Sequence, residues 1–327
     1  MRLAIEPVHG AYRNCLEDIL ATVSIYFQND FELMYAESWG FTFYPAVRNL
    51  NTALGKRLDA GKNDYFSNLE KFHGLRTKWH LKRTLAEYEL LIRTELLAGN
   101  PVAVFMDAYW LPWTKAYKIH HAPHYCLIIG QGDNSDFMCL DPYVTREVCT
   151  LPASLLINGN VKCITFSVGT PLAAINWRKI VLISSLKMLE TITYGDNAFA
   201  CMGKFSIELG KLESLETEIN GCPIPLLVPI YLQLLEICSG RRHFAEVLEY
   251  LSAKYAAADT LPYADVFRRL GTRWNRIRKN LMAECDPGSK RNIIYESAEE
   301  IKAIAKEEEQ IAKALLKLCS MTIEERK

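Results

Sequence analysis

The chain has 327 residues, 50% hydrophobic and 23% charged, a composition typical of a globular protein with a well-buried core. Lysine plus arginine and aspartate plus glutamate both number 38, so the overall charge favours neither nucleic acid nor an anionic membrane surface as partner. No apolar run reaches the roughly 18 residues of a membrane-spanning helix, and the N-terminus lacks the features of a secretory signal, so a cytoplasmic chain is expected.

The first predicted helix covers residues 15–27 and begins with a cysteine. Its apolar residues recur at spacings of three and four, as on one face of a helix. Asn14 is a favourable N-cap and Glu17 completes a capping box, so Cys15 falls at the first helical position. Two interpretations of Cys15 are open: it packs as a small apolar residue, or it is a nucleophile, because a helix N-terminus and a nearby imidazole both favour the thiolate.

The remaining elements of the N-terminal half mix helix and strand. In chain order they are a helix at 85–98, a buried strand within 101–110, a hairpin of strands at 124–130 and 137–143, and a strand at 161–169 that is expected to close the sheet. A four-residue hairpin loop at 131–134 would place His124 directly opposite Asp141, with both side chains on one face of the sheet.

The C-terminal half is almost wholly helical in its pattern. Amphipathic stretches lie at 175–193, 199–219, 226–238, 244–255, 263–284 and 298–318, and the breakers "GCPIP", "CSG" and "CDPGSK" separate them. We therefore predict an α+β fold with two domains, a catalytic domain at 1–170 and an all-helical domain at 171–327.

Three residues of the N-terminal half form a candidate catalytic triad. Cys15 would be the nucleophile, His124 the base that takes its proton, and Asp141 the carboxylate that orients the imidazole. Each residue also has a purely structural interpretation, as core packing, strand cap or turn residue. The chain order Cys, His, Asp, with the cysteine early on a helix and the other two on later strands, is the papain-like order. No metal is expected, because the 10 cysteines are scattered without a C-x-x-C pair.

An oxyanion site is needed beside such a nucleophile. The backbone N–H of Cys15 is a natural donor, since the first N–H groups of a helix have no partner within it. A second donor is expected from the preceding segment, where the candidates are Asn14, Tyr12 and His9.

Two aromatic segments are candidates for binding substrate. Trp39 and Phe41 lie in "SWGFTFYP", which either lines an acyl pocket or is a core segment. Tyr109, Trp110 and Trp113 lie in "MDAYWLPWTKAY", which either walls water out of the site or makes an inter-domain contact. A basic stretch, "VFRRLGTRWNRIRKN", is either a docking face for an acidic partner or a solvated helix face with acidic neighbours.

Several motifs resemble the N-terminal domain of butirosin biosynthesis protein H, a family related to papain-like and bacteriocin-processing cysteine peptidases. They are "NCLEDILATVSIYF", "ESWGFTFYP", "GNPVAVFMDAYW", "HHAPHYCLIIG" and "CLDPY", and "RRHFAEVLEYL" and "LGTRWNRIRKNL" resemble the helical domain that usually follows. The resemblance implies a papain-like fold and acyl transfer from the phosphopantetheine thioester of a carrier protein to an amine, in natural-product biosynthesis. It also assigns the triad roles to Cys15, His124 and Asp141. The bacteriocin-processing peptidases carry a Gln before their Cys, whereas this chain has none there.

The sequence thus predicts a cysteine acyltransferase of antibiotic biosynthesis. It would take an acyl or peptidyl group onto Cys15 and pass it to a small-molecule amine, with no resident cofactor. Its partner would be an acyl or peptidyl carrier protein. Two alternatives stay open: a thioesterase, amidase or peptidase with the same triad, and a papain-like module that binds without catalysis.

Overall fold

The structure is a computed structural model that describes residues 2–46, 52–61, 63–82, 84–132, 136–157, 161–191, 195–222, 224, 227–284 and 286–320. The chain forms two compact units. The sheet unit comprises Met1–Met34 and Tyr65–Ala174, and the helical unit comprises Tyr35–Asp64 and Ile175–Lys327. Helix accounts for 55% and strand for 15% of the structure, with an N-terminal sheet and a C-terminal helical region, so the predicted α+β class is confirmed.

The strands are β1 (Thr42–Phe43), β2 (Leu58–Asp59), β3 (Leu75–His80), β4 (Val102–Asp107), β5 (Pro123–Gln131), β6 (Phe137–Asp141), β7 (Thr145–Leu151) and β8 (Lys162–Val168). The helices are α1 (Cys15–Tyr26), α2 (Tyr65–Asn68), α3 (Leu85–Leu97), α4 (Trp177–Leu189), α5 (Ala198–Leu209), α6 (Glu216–Ile219), α7 (Pro229–Lys254), α8 (Leu261–Met282) and α9 (Pro287–Ser320).

The sheet unit is built on six antiparallel strands in the order β3-β8-β4-β5-β6-β7. The predicted hairpin is confirmed as β5 and β6. The strand β8 was expected to close the sheet, but it lies inside, between β3 and β4. The outer strands β3 and β7 were not predicted, because much of their surface is exposed and carries charged residues that hide the apolar alternation.

The helix α1 packs against β5, the strand that carries His124. Its side chains Ile19, Leu20 and Val23 are fully buried, and each such side chain contributes about 1.5–3 kcal/mol to the stability of the fold. The other predicted helix of this half is confirmed as α3, which buries Ile92 in a core shared with β4, β5 and β6.

The helical unit corrects two boundaries of the sequence prediction. The predicted helices 226–238 and 244–255 form the single helix α7, which runs through the expected breaker "CSG" (residue 226 lies outside the described part). Gly240 does not end the helix but allows close packing, because a Cβ there would lie 2.3 Å from the carbonyl oxygen of Ser38. Conversely, the predicted helix 199–219 is two helices, α5 and α6, and α5 is capped at Gly210.

The division into units differs from the predicted contiguous domains in one segment. Residues 35–64 pack with the helical unit, although they precede most of the sheet in sequence. The apolar residues Trp39 and Phe41 explain this, since both lie in the core of the helical unit. The second boundary, between Ala174 and Ile175, lies close to the predicted one at 170/171.

Candidate active site

Cys15 is the first residue of α1, as the capping pattern predicts. Asn14 Oδ1 accepts the N–H of Glu17 at 3.0 Å, and Glu17 Oε2 accepts the N–H of Asn14 at 2.8 Å. This capping box leaves the N–H of Cys15 at the end of the helix, where backbone donors have no helical partner. The side chain of Cys15 is partly exposed, so the thiol is accessible to a reactant.

His124 and Asp141 meet on the hairpin, but not in the predicted register. Leu127 pairs with Leu140, and continuing this register sets Asp141 opposite Cys126 rather than opposite His124. The prediction of direct opposition is therefore wrong by two residues. Because side chains alternate between faces with a period of two, a shift of two keeps His124 and Asp141 on one face as diagonal neighbours.

A bulge in β5 and a longer loop cause this shift. The ladder is irregular between Ile128 and Gly130, and the last pair before the loop is Gln131 with Phe137. Gln131 therefore belongs to the strand and not to the loop, and the predicted loop residues 133 and 134 lie outside the described part of the chain.

The three predicted catalytic residues form a hydrogen-bonded line. His124 Nε2 donates to Asp141 Oδ2 at 2.7 Å, and the His124 side chain is also hydrogen-bonded to Cys15. Since Asp141 occupies Nε2, Nδ1 is the nitrogen left for the sulfur. This is the arrangement in which a carboxylate fixes the imidazole and the imidazole exchanges a proton with the nucleophile.

The protonation of His124 fits this arrangement. Burial alone would lower the pKa of His124, but the hydrogen bonds and charges of Asp141 and Cys15 outweigh it and raise the pKa to about 10. An imidazolium is therefore favoured at neutral pH, and it is the form that can protonate a leaving group.

Asp141 is fully buried and has a second partner that the sequence did not reveal. Trp113 Nε1 donates to Asp141 Oδ2 at 2.8 Å, so one carboxylate oxygen accepts both the imidazole and the indole. The other oxygen, Oδ1, is buried without a hydrogen-bond partner among the described residues. Trp113, predicted as a substrate contact, thus holds the carboxylate that orients His124.

The thiols of the sheet differ from Cys15 in their surroundings. Burial raises the pKa of Cys163 to about 12 and that of Cys149 to about 11, so both are held as neutral thiols. The pKa of Cys126 is raised as well, chiefly by a hydrogen bond with Cys139 and next by burial. These cysteines pack in or against the core, whereas Cys15 is hydrogen-bonded to an imidazole.

This constellation lies within a region that matches a known family. Residues 11–142 match the family model described as butirosin biosynthesis protein H, N-terminal. The match starts shortly before Cys15 and ends directly after Asp141, so all three residues fall inside it.

The matched part of the chain belongs to that family.

No curated protein matches the chain. The family domain also includes residues 35–64, which the structure groups with the helical unit.

The other aromatic candidates of the family domain lie apart from the triad contacts. Tyr109 stacks on His121 with ring centroids 4.4 Å apart, and its N–H donates to Asp107 Oδ1 at 3.0 Å. Asp107 Oδ2 also lies 2.5 Å from Nδ1 of His121, whose side chain is 72% exposed. Trp110 packs against the core beside α3.

Trp39 and Phe41 belong to the helical unit. Trp39 is fully buried there and donates its indole N–H to Glu308 at 2.8 Å. Phe41 is buried beside Trp274, and it also lines a cavity of about 660 Å³ together with Gly40, Thr42 and Lys187. Trp39 is thus a core residue, and the interpretation of "SWGFTFYP" as the lining of an acyl pocket stays a prediction.

The basic stretch on α8 is a helix face with acidic neighbours. Arg273 binds Glu300 and Glu307, and Arg276 binds Glu300. Arg268 likewise pairs with acidic side chains. The interpretation as a solvated helix face with acidic neighbours is confirmed for these arginines.

The segment before Cys15 contains the three oxyanion candidates. The Asn14 amide oxygen and backbone N–H are engaged in the capping box, and the Tyr12 side chain lies at the surface. His9 Nδ1 lies 2.7 Å from Oδ2 of Asp18, a fully buried residue that sequence reasoning missed. The sequence did contain a signal. Asp18 and Thr22 follow Cys15 by three and seven positions, so the three residues form a polar line on one face of an otherwise apolar helix.

Neither a metal cluster nor a membrane span is found in the described part of the chain. No group of three or more His, Cys, Asp or Glu side chains there could hold a metal ion. Among the described helices, none is both long and apolar enough to cross a membrane.

Proposed function

We propose that the chain is a cysteine acyltransferase of antibiotic biosynthesis, in which Cys15 carries the acyl group. The observation that carries the proposal is the hydrogen-bonded line from Cys15 through His124 to Asp141, at the N-terminus of α1. Membership of residues 11–142 in the butirosin biosynthesis protein H family supports the biosynthetic role.

In the first half-reaction, the Cys15 thiolate attacks the carbonyl carbon of an acyl thioester. The oxyanion that forms is stabilised by the N–H of Cys15, and collapse expels the donor thiolate, which takes a proton from His124. In the second half-reaction, neutral His124 accepts a proton from an attacking amine, and Cys15 leaves as a thiolate. Throughout, Asp141 keeps the imidazole oriented.

In this proposal the acyl donor is the phosphopantetheine thioester of an acyl or peptidyl carrier protein, and the acceptor is a small-molecule amine. A thioester suits the site because a thiolate leaves with little help from an acid. No resident cofactor is required for either half-reaction.

The test is intact-mass analysis after incubation with an acyl thioester of N-acetylcysteamine. The wild type is expected to gain the mass of one acyl group, and Cys15→Ala is expected to gain none. Cys222→Ala is the matched control, since it removes another partly exposed thiol and should leave the adduct unchanged. An adduct that persists in Cys15→Ala would overturn the proposal.

The same experiment separates transfer from hydrolysis. For a transferase, the acyl-enzyme persists until a primary amine is added and then yields the amide. If water discharges the adduct as fast as the amine does, the chain is a hydrolase with the same triad. If neither adduct nor product forms although Cys15 reacts with iodoacetamide, the function is binding without catalysis.

A further inference from the structure

The segment before α1 lies along the helix face that begins with Cys15. The N–H of Val8 donates to Thr22 Oγ1 at 3.0 Å, and the N–H of Gly10 donates to Asp18 Oδ1 at 3.0 Å. Asp18 and Thr22 follow Cys15 by three and seven positions, so all three lie on one side of the helix. Between the two anchored residues, His9 is fixed on the same face as the nucleophile.

His9 and the catalytic imidazole share Tyr143 as an aromatic neighbour. The ring of Tyr143 lies 6.5 Å from the ring of His9 and 6.2 Å from the ring of His124, measured between centroids. His124 is hydrogen-bonded to Cys15, so Tyr143 connects His9 to the imidazole that contacts the thiol. Tyr143 is 51% exposed and the His9 side chain is 36% exposed, so both rings are accessible to a reactant.

We propose that His9, held through Nδ1 by the buried carboxyl group of Asp18, donates from Nε2 to the oxyanion formed at Cys15. The proposal rests on the acyl-transfer function above and adds a catalytic residue to that site. Asp18 acts as a positioning residue, because it touches His9 and not the reacting atoms.

Burial raises the pKa of Asp18, and this effect outweighs the hydrogen bonds from His9 and Gly10 and the nearby charges of His9 and Arg13. A protonated Asp18 carboxyl group donates to Nδ1 of His9, which leaves the imidazole proton on Nε2. A carboxylate beside an imidazolium likewise leaves a proton on Nε2.

Loss of that proton changes the character of Nε2. With a carboxylate accepting from Nδ1–H, Nε2 has only a lone pair and repels an oxyanion. The other titratable and charged groups near His9 and Asp18 are Arg13, Tyr143, His124 and Cys15. Oxyanion stabilisation by His9 should therefore weaken as pH rises, independently of the His124–Asp141 pair.

The proposed step needs no additional reactant. A bond forms between the Cys15 sulfur and the thioester carbon, and the carbonyl π electrons move to the oxygen. That oxygen accepts hydrogen bonds from Cys15 N–H and His9 Nε2–H. When the electrons return, the bond to the donor sulfur breaks and His124 protonates the leaving thiolate, so His9 itself gives up no proton.

Two reactions of Cys15 test the assignment. Acylation by an acyl thioester of N-acetylcysteamine passes through an oxyanion, whereas alkylation by iodoacetamide displaces iodide and does not. We expect His9→Leu to slow acylation about 10²–10³-fold, the usual effect of removing one oxyanion donor. Alkylation of Cys15 should stay within about threefold of the wild type, because the hydrogen bond between Cys15 and His124 is untouched.

His9→Gln provides the rescue arm, because an amide N–H donates but does not titrate. It should restore acylation to within about tenfold of the wild type and remove the His9-dependent loss of rate with rising pH. His80→Leu is the matched control, since it removes another histidine of the sheet unit, one whose ring is hydrogen-bonded to Thr165. Its acylation rate should change little.

Several outcomes would overturn the assignment. It fails if His9→Leu acylates as fast as the wild type, if alkylation falls in parallel with acylation, or if His80→Leu shows the same large loss. If the wild type forms an adduct that His9→Leu forms equally well, only the His9 role is lost. If the wild type forms no adduct, the proposed function fails and the His9 role fails with it.

Discussion

Each unit of the molecule contains a buried carboxylate that accepts a hydrogen bond from tryptophan, but the two carboxylates are used differently. In the helical unit, Oε1 of Glu308 accepts hydrogen bonds from Nε of Arg241 and from the indole of Trp274. Its Oε2 accepts hydrogen bonds from Nη2 of Arg241 and from the indole of Trp39. Arg241 also donates to the carbonyl of Gly40 at 2.7 Å, and both charged side chains are fully buried. Every oxygen of this carboxylate is satisfied.

In the sheet unit, Asp141 is equally buried but incompletely satisfied. Its Oδ2 accepts hydrogen bonds from both His124 and Trp113, whereas Oδ1 has no hydrogen-bond partner among the described residues. The Asp141 contacts lead through a titratable imidazole to a partly exposed thiol, while the Glu308 contacts end in the core. A satisfied network fixes one packing arrangement, and an incomplete network beside a nucleophile is typical of a reactive site.

The largest expected effect comes from breaking the complete network. Glu308→Gln leaves the guanidinium of Arg241 buried without its counter-charge, and we expect the free energy of unfolding to fall by about 3–5 kcal/mol. Urea denaturation followed by circular dichroism measures this. The neighbouring Glu309→Gln is the matched control, since Glu309 pairs with Lys313 at the surface and should cost less than about 0.5 kcal/mol.

The comparison predicts the reverse pattern for Asp141→Asn. Above about pH 10, where His124 no longer stabilises the fold as an imidazolium, the change should cost only about 1 kcal/mol of stability. It should lower kcat for acyl transfer about 10³-fold, because the imidazole loses its fixed tautomer and counter-charge. If Asp141→Asn destabilises the protein as strongly as Glu308→Gln, or if it leaves the rate unchanged, the distinction between the two carboxylates is wrong.

The next prediction concerns pH and His124. The folded protein raises the pKa of His124 from 6.5 to about 10, so the protonated imidazole stabilises the folded state fully below about pH 6.5. This contribution is lost as pH rises to about 10. The difference in unfolding free energy between the wild type and His124→Gln should therefore shrink over this range, by at most on the order of 5 kcal/mol. A difference that stays constant or grows with pH would show that His124 is not held as an imidazolium.

The smallest effect is expected for Trp113→Phe. Phenylalanine keeps the ring but removes one hydrogen bond to Asp141, a loss of about 1–2 kcal/mol. We expect kcat to fall severalfold while KM stays nearly constant, because Trp113 contacts the carboxylate. A rise in KM without a change in kcat would instead support the original interpretation of Trp113 as a substrate contact.

The local structure of the site was predictable because its signals are local. Asn14 and Glu17 satisfy orphan N–H groups at the start of α1, so Cys15 could be placed at its first position from spacing alone. The hairpin followed from two apolar runs around a polar turn. Its side-chain face survived an error in register, since a shift of two residues keeps the same face.

Other features depended on residues far apart in sequence. Trp113 reaches Asp141, and the 35–64 segment packs with α7 and α9, and no periodicity encodes these pairings. Gly240 looks like a helix breaker in sequence but serves the close approach of Ser38. Such contacts are chosen by the packing of whole elements, where shape and satisfied hydrogen bonds outweigh local preference.

By itself, the sequence determined which residues could carry the chemistry and the local backbone of each, because capping, alternation and turn composition act over a few residues. Only the tertiary structure decided that Cys15, His124 and Asp141 form one hydrogen-bonded line, that Trp113 supports it, and that Asp18 binds His9. The physical reason is that a hydrogen bond acts over about 3 Å, and only folding brings side chains over 100 positions apart in sequence, such as Cys15 and His124, within that reach.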